Sequence, residues 1–451
     1  MIEVKHDHKL NFPPIIVPQY NQDNDEGPNM VKQTDIEGVL VPLLRFNDTV
    51  ITFEMVSYMR LTDNVVPSIE VEITDFLELI RVLDQPEHDN ILYLQIIPPF
   101  DNAYKKIQLS FYIRNTSING NTVRMYGDYY IPELYDTVMK PYGILSTYDL
   151  IDRISNDYSL GFCSNVEGTN DDRYIYNPNR DVRSFLDKEI QFAGEKEHVY
   201  VWWIDLWNNI NLVDLWKAYT ELVSEENLQV WVSDNFKSTD DEEKKPYQQI
   251  AAFTNSPAFV SSPFYIQEYT PVLKSSPVTD RNFETFSMND QEATSTLIHD
   301  GDVHNDIFQK YEYGGEVFGD FDYLSQRASR GMLVNKVNSQ VIEVISYLPI
   351  LGLMKGGYVN LWWYDINNMI AESTDQSDIS TNADIPEGED TGDVTSEGSM
   401  ILNKTVSGQY YIVNIEYTYT GHMNWEVKYT LSRSAEFIQR VQQHEKETFM
   451  N

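Results

Sequence analysis

The sequence predicts a mainly β fold with an α+β segment set into its middle. Three observations carry the prediction. Apolar and polar residues alternate over much of 36–130, as in half-buried strands; helical spacing replaces that alternation between about 146 and 194; and a long alternating hairpin follows over 408–433. At 451 residues core size is not limiting, and there is room for about two to four domains. Hydrophobic residues at 41% and aromatics at 13% exclude a disordered chain, and 30 tyrosines point to sheets and interfaces rather than helical bundles.

The first segment, 1–35, reads as an N-terminal arm, with Pro13, Pro14 and Pro18 ahead of the polar run Asn21 to Asn29. Strands follow from 36. In 68–74, Ile69, Val71 and Ile73 alternate with Glu70 and Glu72; in 106–115, Ile107, Leu109, Phe111 and Ile113 alternate with Gln108, Ser110, Tyr112 and Arg114. Further strands are expected at 49–57, 91–97 and 122–130, with Asn119-Gly120 as a turn signal. Regularly spaced strands with one charged face suggest a small barrel or sandwich over 36–135.

Ser146-Thr-Tyr-Asp149 has the form of a capping box, and Leu150, Ile151, Ile154 and Tyr158 continue it at helical spacing. A second helix is expected from an Asp181 N-cap through Phe185, Leu186 and Ile190 to Gly194, with a strand and a polar loop between the two helices. The segment 136–250 therefore reads as a mixed α/β domain. It contains Tyr200 to Leu215, YVWWIDLWNNINLVDL, with three of the 8 tryptophans. A less regular copy, YVNLWWYDINNM, spans Tyr358 to Met369. Trp202, Trp203, Asp205, Trp207, Asn208 and Asn209 in the first, and Trp362, Trp363 and Asp365 in the second, are candidate structural or interface residues: buried strands ending in Asx turns.

The segment 251–435 returns to strand character around an irregular insert at 275–335 and an acidic loop at 371–400. That loop carries nine carboxylates between Glu372 and Glu397 and no Lys or Arg, a composition that buries no apolar surface. QYYIVNIEYTYT and NWEVKYTLSR flank Gly421 to Asn424 as the clearest hairpin, placing Trp425, Val427, Tyr429 and Leu431 on one face. A C-terminal helix is expected over 436–451.

Net charge is -37, from 70 acidic and 33 basic residues, so the basic footprint of a nucleic-acid binder is missing. Cys163 is the single cysteine, which excludes an internal disulfide framework and suits folding in a reducing compartment. The N-terminal MIEVKHDHKL lacks the apolar core of a signal peptide, and the longest apolar run, near 344–354, is too short to span a bilayer; no membrane insertion is expected.

No P-loop, Rossmann glycine set, nucleophile elbow or zinc motif is present, and no cofactor is expected. His299, Asp302, His304 and Asp306 are weak candidate metal ligands by residue type, but the spacing lacks the pattern of a calcium hand and a polar loop accounts for it more simply. His6-Asp-His8 is a similar short cluster. Asp205 beside tryptophans invites comparison with a glycosidase carboxylate, yet capping of the adjacent Asn-Asn turn accounts for it more simply. The expectation is a chain without catalytic activity.

Several segments stand in a telling order: Val123-Arg-Met-Tyr-Gly127; Ser146-Thr-x-Asp-Leu-Ile leading to Leu160-Gly-Phe-x-Ser-Asn165; Asp171-Asp172; Phe185-Leu186; Trp203-Ile-Asp205 with Asn208 to Val213; and Ser407 to Val413 with Leu431-Ser-Arg433. In that order they resemble the baseplate hub proteins of contractile-tailed bacteriophages of the T-even type, related to the hub module of type VI secretion spike proteins. They cover roughly 36–235 and 335–435.

The resemblance implies two tube-like β-barrel domains, 36–135 and 251–435, joined by the α/β domain. It also implies a homotrimer whose six barrels adapt a sixfold tail tube to a threefold spike. The implied partners are tail tube or tube-initiator proteins, a central spike protein, the tape measure protein and DNA in transient passage. The implied location is the virion tail baseplate, assembled in the host cytoplasm. The chain ends about twenty residues after the last hairpin without the repeats of a spike, so the spike is expected as a separate protein. Two other readings stay open: a tail-associated glycan-binding or glycan-cleaving β protein, and an effector-bearing secretion hub.

Overall fold

The computed structural model describes residues 2–13, 15, 18–19, 29–30, 41–47, 49–75, 90–97, 106–131, 134–193, 198–218, 229–233, 247–250, 252–255, 270–275, 284–287, 309–314, 340–347, 353–365, 401–402, 406–421 and 424–433. Within them the fold is mainly β, with α-helices at Thr147–Asp157 and Val182–Glu189 and a helical stretch at 215–218. The weak candidate metal ligands at 299–306, most of the irregular insert, the acidic loop and the expected C-terminal helix lie outside the described residues.

Within the segment expected as an arm, Glu3–His6 is a strand, β1. The first β unit then contains β2 (Pro42–Phe46), β3 (Thr49–Ile51), β4 (Val56–Thr62), β5 (Ser68–Thr74), β6 (Ile91–Ile96), β7 (Ile107–Asn119) and β8 (Thr122–Tyr129). The strand expected over 49–57 is broken by a single 3-10 turn at Phe53–Met55, after which β4 sets off. Alternation holds as read: Ile69, Val71 and Ile73 are buried, as are Leu109, Phe111 and Ile113.

The α/β portion opens with β9 (Val138–Leu145), followed by α1 (Thr147–Asp157), β10 (Gly161–Ser164), β11 (Arg173–Arg180), α2 (Val182–Glu189), β12 (Tyr200–Ile204) and β13 (Asn209–Asp214). Both helices start where their caps predict. The Ser146 hydroxyl accepts from Asp149 N at 3.1 Å, and the Asp181 carboxylate accepts from Ser184 N at 2.8 Å. The stretch expected as a polar loop holds a strand instead. β11 pairs antiparallel with β9, burying Ile175 and Asn177, and the Asn177 amide stands in for a ladder partner by bonding Arg180 N and O. β1, β10, β13 and β12 form a four-stranded sheet in that order.

A second β unit contains β14 (Gln229–Ser233), β15 (Tyr247–Ile250), β16 (Ala252–Asn255), β17 (Gln340–Ser346), β18 (Tyr358–Trp362), β19 (Gly408–Tyr419) and β20 (Trp425–Arg433). Trp425, Val427, Tyr429 and Leu431 all face its core. Three strands, Thr270–Ser275, Glu284–Ser287 and Gln309–Gly314, form a small separate sheet between β16 and β17 in sequence.

The two β units share one strand order. The first reads β3-β2-β6-β7-β8-β5-β4 across its sheet, and the second β15-β14-β18-β19-β20-β17-β16. Each strand of the second stands where its counterpart in chain order stands in the first. Only β14 departs in direction: it runs parallel to both neighbours, whereas β2 runs antiparallel to both.

The match extends to register. The β7–β8 ladder slips at Arg114 and the β19–β20 ladder at Val413, each a bulge in the first strand of the hairpin. Aligning the bulges superposes buried on buried: Ile113 on Ile412, Phe111 on Tyr410, Met125 on Tyr429, and Ile69 and Val71 on Ile342 and Val344. It also superposes an ion pair, Arg124–Glu70 on Lys428–Glu343.

The units are joined edge to edge. Along one edge of β19, residues 408–411 pair with β18 and residues 416–419 with β4 of the first unit. The result is a continuous 14-stranded sheet.

Candidate functional site

The tryptophan stretch folds as the β12–β13 hairpin, and its turn is built around one carboxylate. Asp205 is fully buried. Its Oδ1 accepts from the backbone N of Trp207 and of Asn209, each at 2.9 Å; the Asn209 side-chain amide donates to both oxygens, at 3.0 Å to Oδ2, and Asn211 Nδ2 donates to Oδ2 at 3.1 Å. Burial holds this carboxyl above the usual carboxylate range, against the pull of those N–H groups toward the charged form.

Asn208 occupies the left-handed region at φ 62°, a conformation Asn tolerates in turns, and that geometry turns its side chain toward the first β unit. There its Oδ1 accepts from Tyr129 Oη at 2.6 Å and its Nδ2 donates to the Gln108 carbonyl at 2.9 Å. Ile204 N donates to the Val65 carbonyl at 2.8 Å. The turn is thus hydrogen-bonded to the first unit through β7, β8 and the β4–β5 loop.

Period two places the adjacent tryptophans on opposite faces of β12. Trp202 joins the main core and donates its Nε1 to Asp187 of α2 at 2.9 Å. Trp203, 1% exposed, packs with Val199, Val213, Leu215 and Tyr411, with Tyr358 and Val413 alongside; the last three belong to the second β unit. The ring lies against Gly356, where a Cβ would stand 3.1 Å from Trp203 Cζ2. Gly356 has φ 88°, so its backbone demands glycine, and the close ring adds to that preference.

Beside it, the Lys355 ammonium sits 5.2 Å from the Trp203 ring centre and donates to the Asn64 carbonyl at 3.2 Å. Asp63, buried next to Asn64, donates its backbone N to the Ile415 carbonyl. Burial pushes its carboxyl from 3.8 up to about 7; Lys355 draws it down and Asp205 pushes it further up. Burial in turn lowers the Lys355 ammonium below its ordinary value, against the pull of Asp63. The three structural units therefore meet around Trp203, Asp205, Asp63 and Lys355.

The second tryptophan segment is not a structural copy of the first. Tyr358–Trp362 is β18, which lies between β14 and β19 in the large sheet, and its counterpart in the first unit is β6, Ile-Leu-Tyr-Leu-Gln-Ile. Trp362 and Trp363 are half-buried, Trp363 N donates to Ser407 Oγ at 2.9 Å, and Asp365 pairs through its backbone with Ile401.

Asp63, Lys355, Tyr129 and Gln108 carry no signal in the sequence, because their partners are far away along the chain. One local signal was available: Asp205-Leu-Trp207 recurs as Asp214-Leu-Trp216, and in both the Asp Oδ1 accepts the backbone N of the Trp. Asp214, also fully buried, holds the far end of the hairpin and accepts His198 Nδ1 at 2.5 Å.

Chemically, this site holds surfaces together. Asp205 has its oxygens occupied by the turn, and neither it nor Trp203 presents a face to a sugar. Among the described residues no group of three or more His, Cys, Asp or Glu side chains is placed to hold a metal. His6 is fixed on α1 instead, by Ser155 Oγ at 3.0 Å and Asp152 at 3.1 Å. Among the described residues no helix is long and apolar enough to cross a membrane.

No protein-family model matches the chain, and no curated protein matches it in sequence. Among solved structures, a tail protein from Neisseria meningitidis MC58 is similar at TM-score 0.48 and 7% identity, over 88% of this chain and 97% of that one. The 43 kDa tail protein of prophage MuSo2 from Shewanella oneidensis is similar at TM-score 0.49 and 9% identity, over 87% of this chain and 98% of that one. A type VI secretion component from E. coli, c3393, described as structurally similar to T4 bacteriophage tail proteins gp27 and gp5, gives TM-score 0.41 and 10% identity, over 87% and 77%.

Proposed function

We propose that this chain is a structural, non-enzymatic baseplate hub of a bacteriophage tail. The observation that carries the reading is the pair of β units with one strand order and one hairpin register, coupled edge to edge within a single chain. Two equivalent units per chain, taken three times about a threefold axis, give six equivalent positions around a ring. Such a homotrimer presents a sixfold face to tail tube or tube-initiator proteins and a threefold face to a separate central spike.

In this reading the first β unit, β2 to β8, and the second, β14 to β20, are the tube domains, and the segment from β9 to β13 links them; the second tube domain therefore starts at Gln229 rather than at the expected 251. The linking domain's part is positional: Trp203, Asp205 and Asn208 hold the four-stranded sheet against both tube domains, so that a ring of fixed diameter results. The ring's channel passes first the tape measure protein and then DNA. A chain with net charge -37 favours that passage, because DNA is repelled from an acidic wall rather than held on it. The site of action is the virion tail baseplate, after assembly in the host cytoplasm.

Electron microscopy of the purified chain tests the proposal. Class averages should show closed rings with six lobes around an axial channel. Compact single particles of one chain, or open filaments, would sink it.

A further inference from the structure

The junction within the chain also indicates how one copy meets the next. β19 gives the first half of one edge to β18 and the second half, Glu416 to Tyr419, to β4 of the first unit. Its counterpart β7 gives the first half of the same edge to β6, which reaches only from Ile107 to Tyr112. Beyond that point, among the described residues, no strand pairs with this edge of β7, and residues 114–119 are exposed. Ile118 is 49% exposed, whereas its counterpart by the bulge alignment, Tyr417, is fully buried under the arriving strand.

An open run of backbone N–H and C=O groups is a template for another strand, and proteins that leave one unused blunt it with Lys, Pro or charge. Residues 115–119, Asn-Thr-Ser-Ile-Asn, carry none of these.

The strand that would fill the edge has a counterpart as well. β4, which fills the edge of β19, corresponds to β16, and β16 pairs on one side only, with β17, among the described residues. Each unit therefore has one donor strand and one acceptor edge. Within a chain the first unit's donor, β4, engages the second unit's acceptor, β19. Among the described residues, one acceptor, β7, and one donor, β16, are left over.

We infer that β16 of one copy adds antiparallel to the open edge of β7 in the next copy, repeating between chains the junction that β4 makes with β19 inside the chain. The contact is head to tail, which closes into a ring when the rotation per chain allows. The register carries over from Tyr417↔Leu61 and Thr418↔Arg60. Leu61 and Arg60 face Ile69 and Glu70 as Asn255 and Thr254 face Ile342 and Glu343, so Ile118 pairs with Asn255 and Asn119 with Thr254. The number of copies rests on the hub reading above; the strand pairing does not.

Cross-linking tests it in the full chain. Cross-strand Cα atoms about 4.5–5.5 Å apart lie within disulfide range. An Asn119→Cys, Thr254→Cys double variant should, on mild oxidation, run on non-reducing gels as covalent dimers and trimers. The in-chain equivalent, Arg60→Cys with Thr418→Cys, should close within single chains. Native trimers without cross-links between chains, while the in-chain control closes, would overturn the strand pairing and leave the hub reading standing. Cross-linked ladders beyond three copies would support the pairing and contradict the ring.

A second variant guards against misfolding of the cysteine pair. The Gly120-Asn121 turn is a two-residue loop, so Asn119 and Thr122 bond each other and Ile118 N–H points to the open edge. Ile118→Pro should keep the far-UV circular dichroism of the parent and shift trimer to monomer. Trimer unchanged in the folded Ile118→Pro chain would overturn the inference.

Discussion

The Lys355 ammonium lies 5.2 Å from the ring centre of Trp203. Through it the loop entering β18 touches the linking sheet, and the same ammonium reaches the Asn64 carbonyl of the first unit. One tryptophan is therefore the place where three separately built pieces of sheet meet. Truncating it should be costly: Trp203→Ala removes a fully buried ring and is expected to lower unfolding stability by about 3–5 kcal/mol, read from denaturant titration. It should also weaken assembly, seen in light scattering as a lower mass than the parent's at the same concentration. Unchanged stability and unchanged assembly would mean that Trp203 does not fix the linking domain.

Asp205 gives a graded prediction. Asp205→Ala leaves buried donors from Trp207, Asn209 and Asn211 without an acceptor, and each such loss costs about 1–3 kcal/mol. A total near 3–5 kcal/mol is expected, since neighbouring losses do not add fully. Asp205→Asn keeps one acceptor oxygen and should cost about half as much in the same titration. Equal costs for the two variants would place the stabilisation outside the turn.

Asp63 ties stability to pH. Its folded value, about 7, stands above its unfolded value near 3.8, so between those limits the folded chain keeps a proton that the unfolded chain has released. Stability should therefore fall as pH rises through that window, and Lys355, which favours the charged carboxylate, moderates the fall. Asp63→Asn removes the linkage. Unfolding followed at about pH 5 and about pH 8 should show the variant gaining on the parent as pH rises. Parallel pH profiles would contradict the assignment.

The duplicated ion pair makes a comparison inside one molecule. Glu70 is 6% exposed at its side chain and is held by Arg60 at 2.6 Å and by Arg124, whereas Glu343 is 34% exposed and faces Lys428 at 3.0 Å. Glu70→Gln should cost more than Glu343→Gln, because the buried Glu70 loses charge-assisted bonds to two arginines and Glu343 loses one to a solvated lysine. Reversal of that order would show that burial does not govern the pair.

Much of this was legible before the fold was known. The Ser146 and Asp181 caps, the alternation of Ile69, Val71 and Ile73 and the Gly408–Arg433 hairpin are local patterns, and local patterns survive in sequence. The duplication was not legible. Only short runs keep the same residues, as Ile69-Glu70-Val71 and Ile342-Glu343-Val344 do, while pairs such as Phe111 and Tyr410 share only burial, and long insertions separate the strands of the second unit. The tryptophan repeat drew attention to a false pairing, since β12 and β18 occupy different sheets. β11 escaped notice because its polar, proline-containing sequence is a strand only by virtue of β9 beside it. At the junction, Asp205 was readable as a turn residue, but Asp63 and Lys355 become neighbours only through the packing of the whole chain.

The most direct measurement is the mass of the purified chain in solution by light scattering over a range of concentrations. The account predicts a stable species at three times the 52.5 kDa chain mass. A single 52.5 kDa species at every concentration would contradict it.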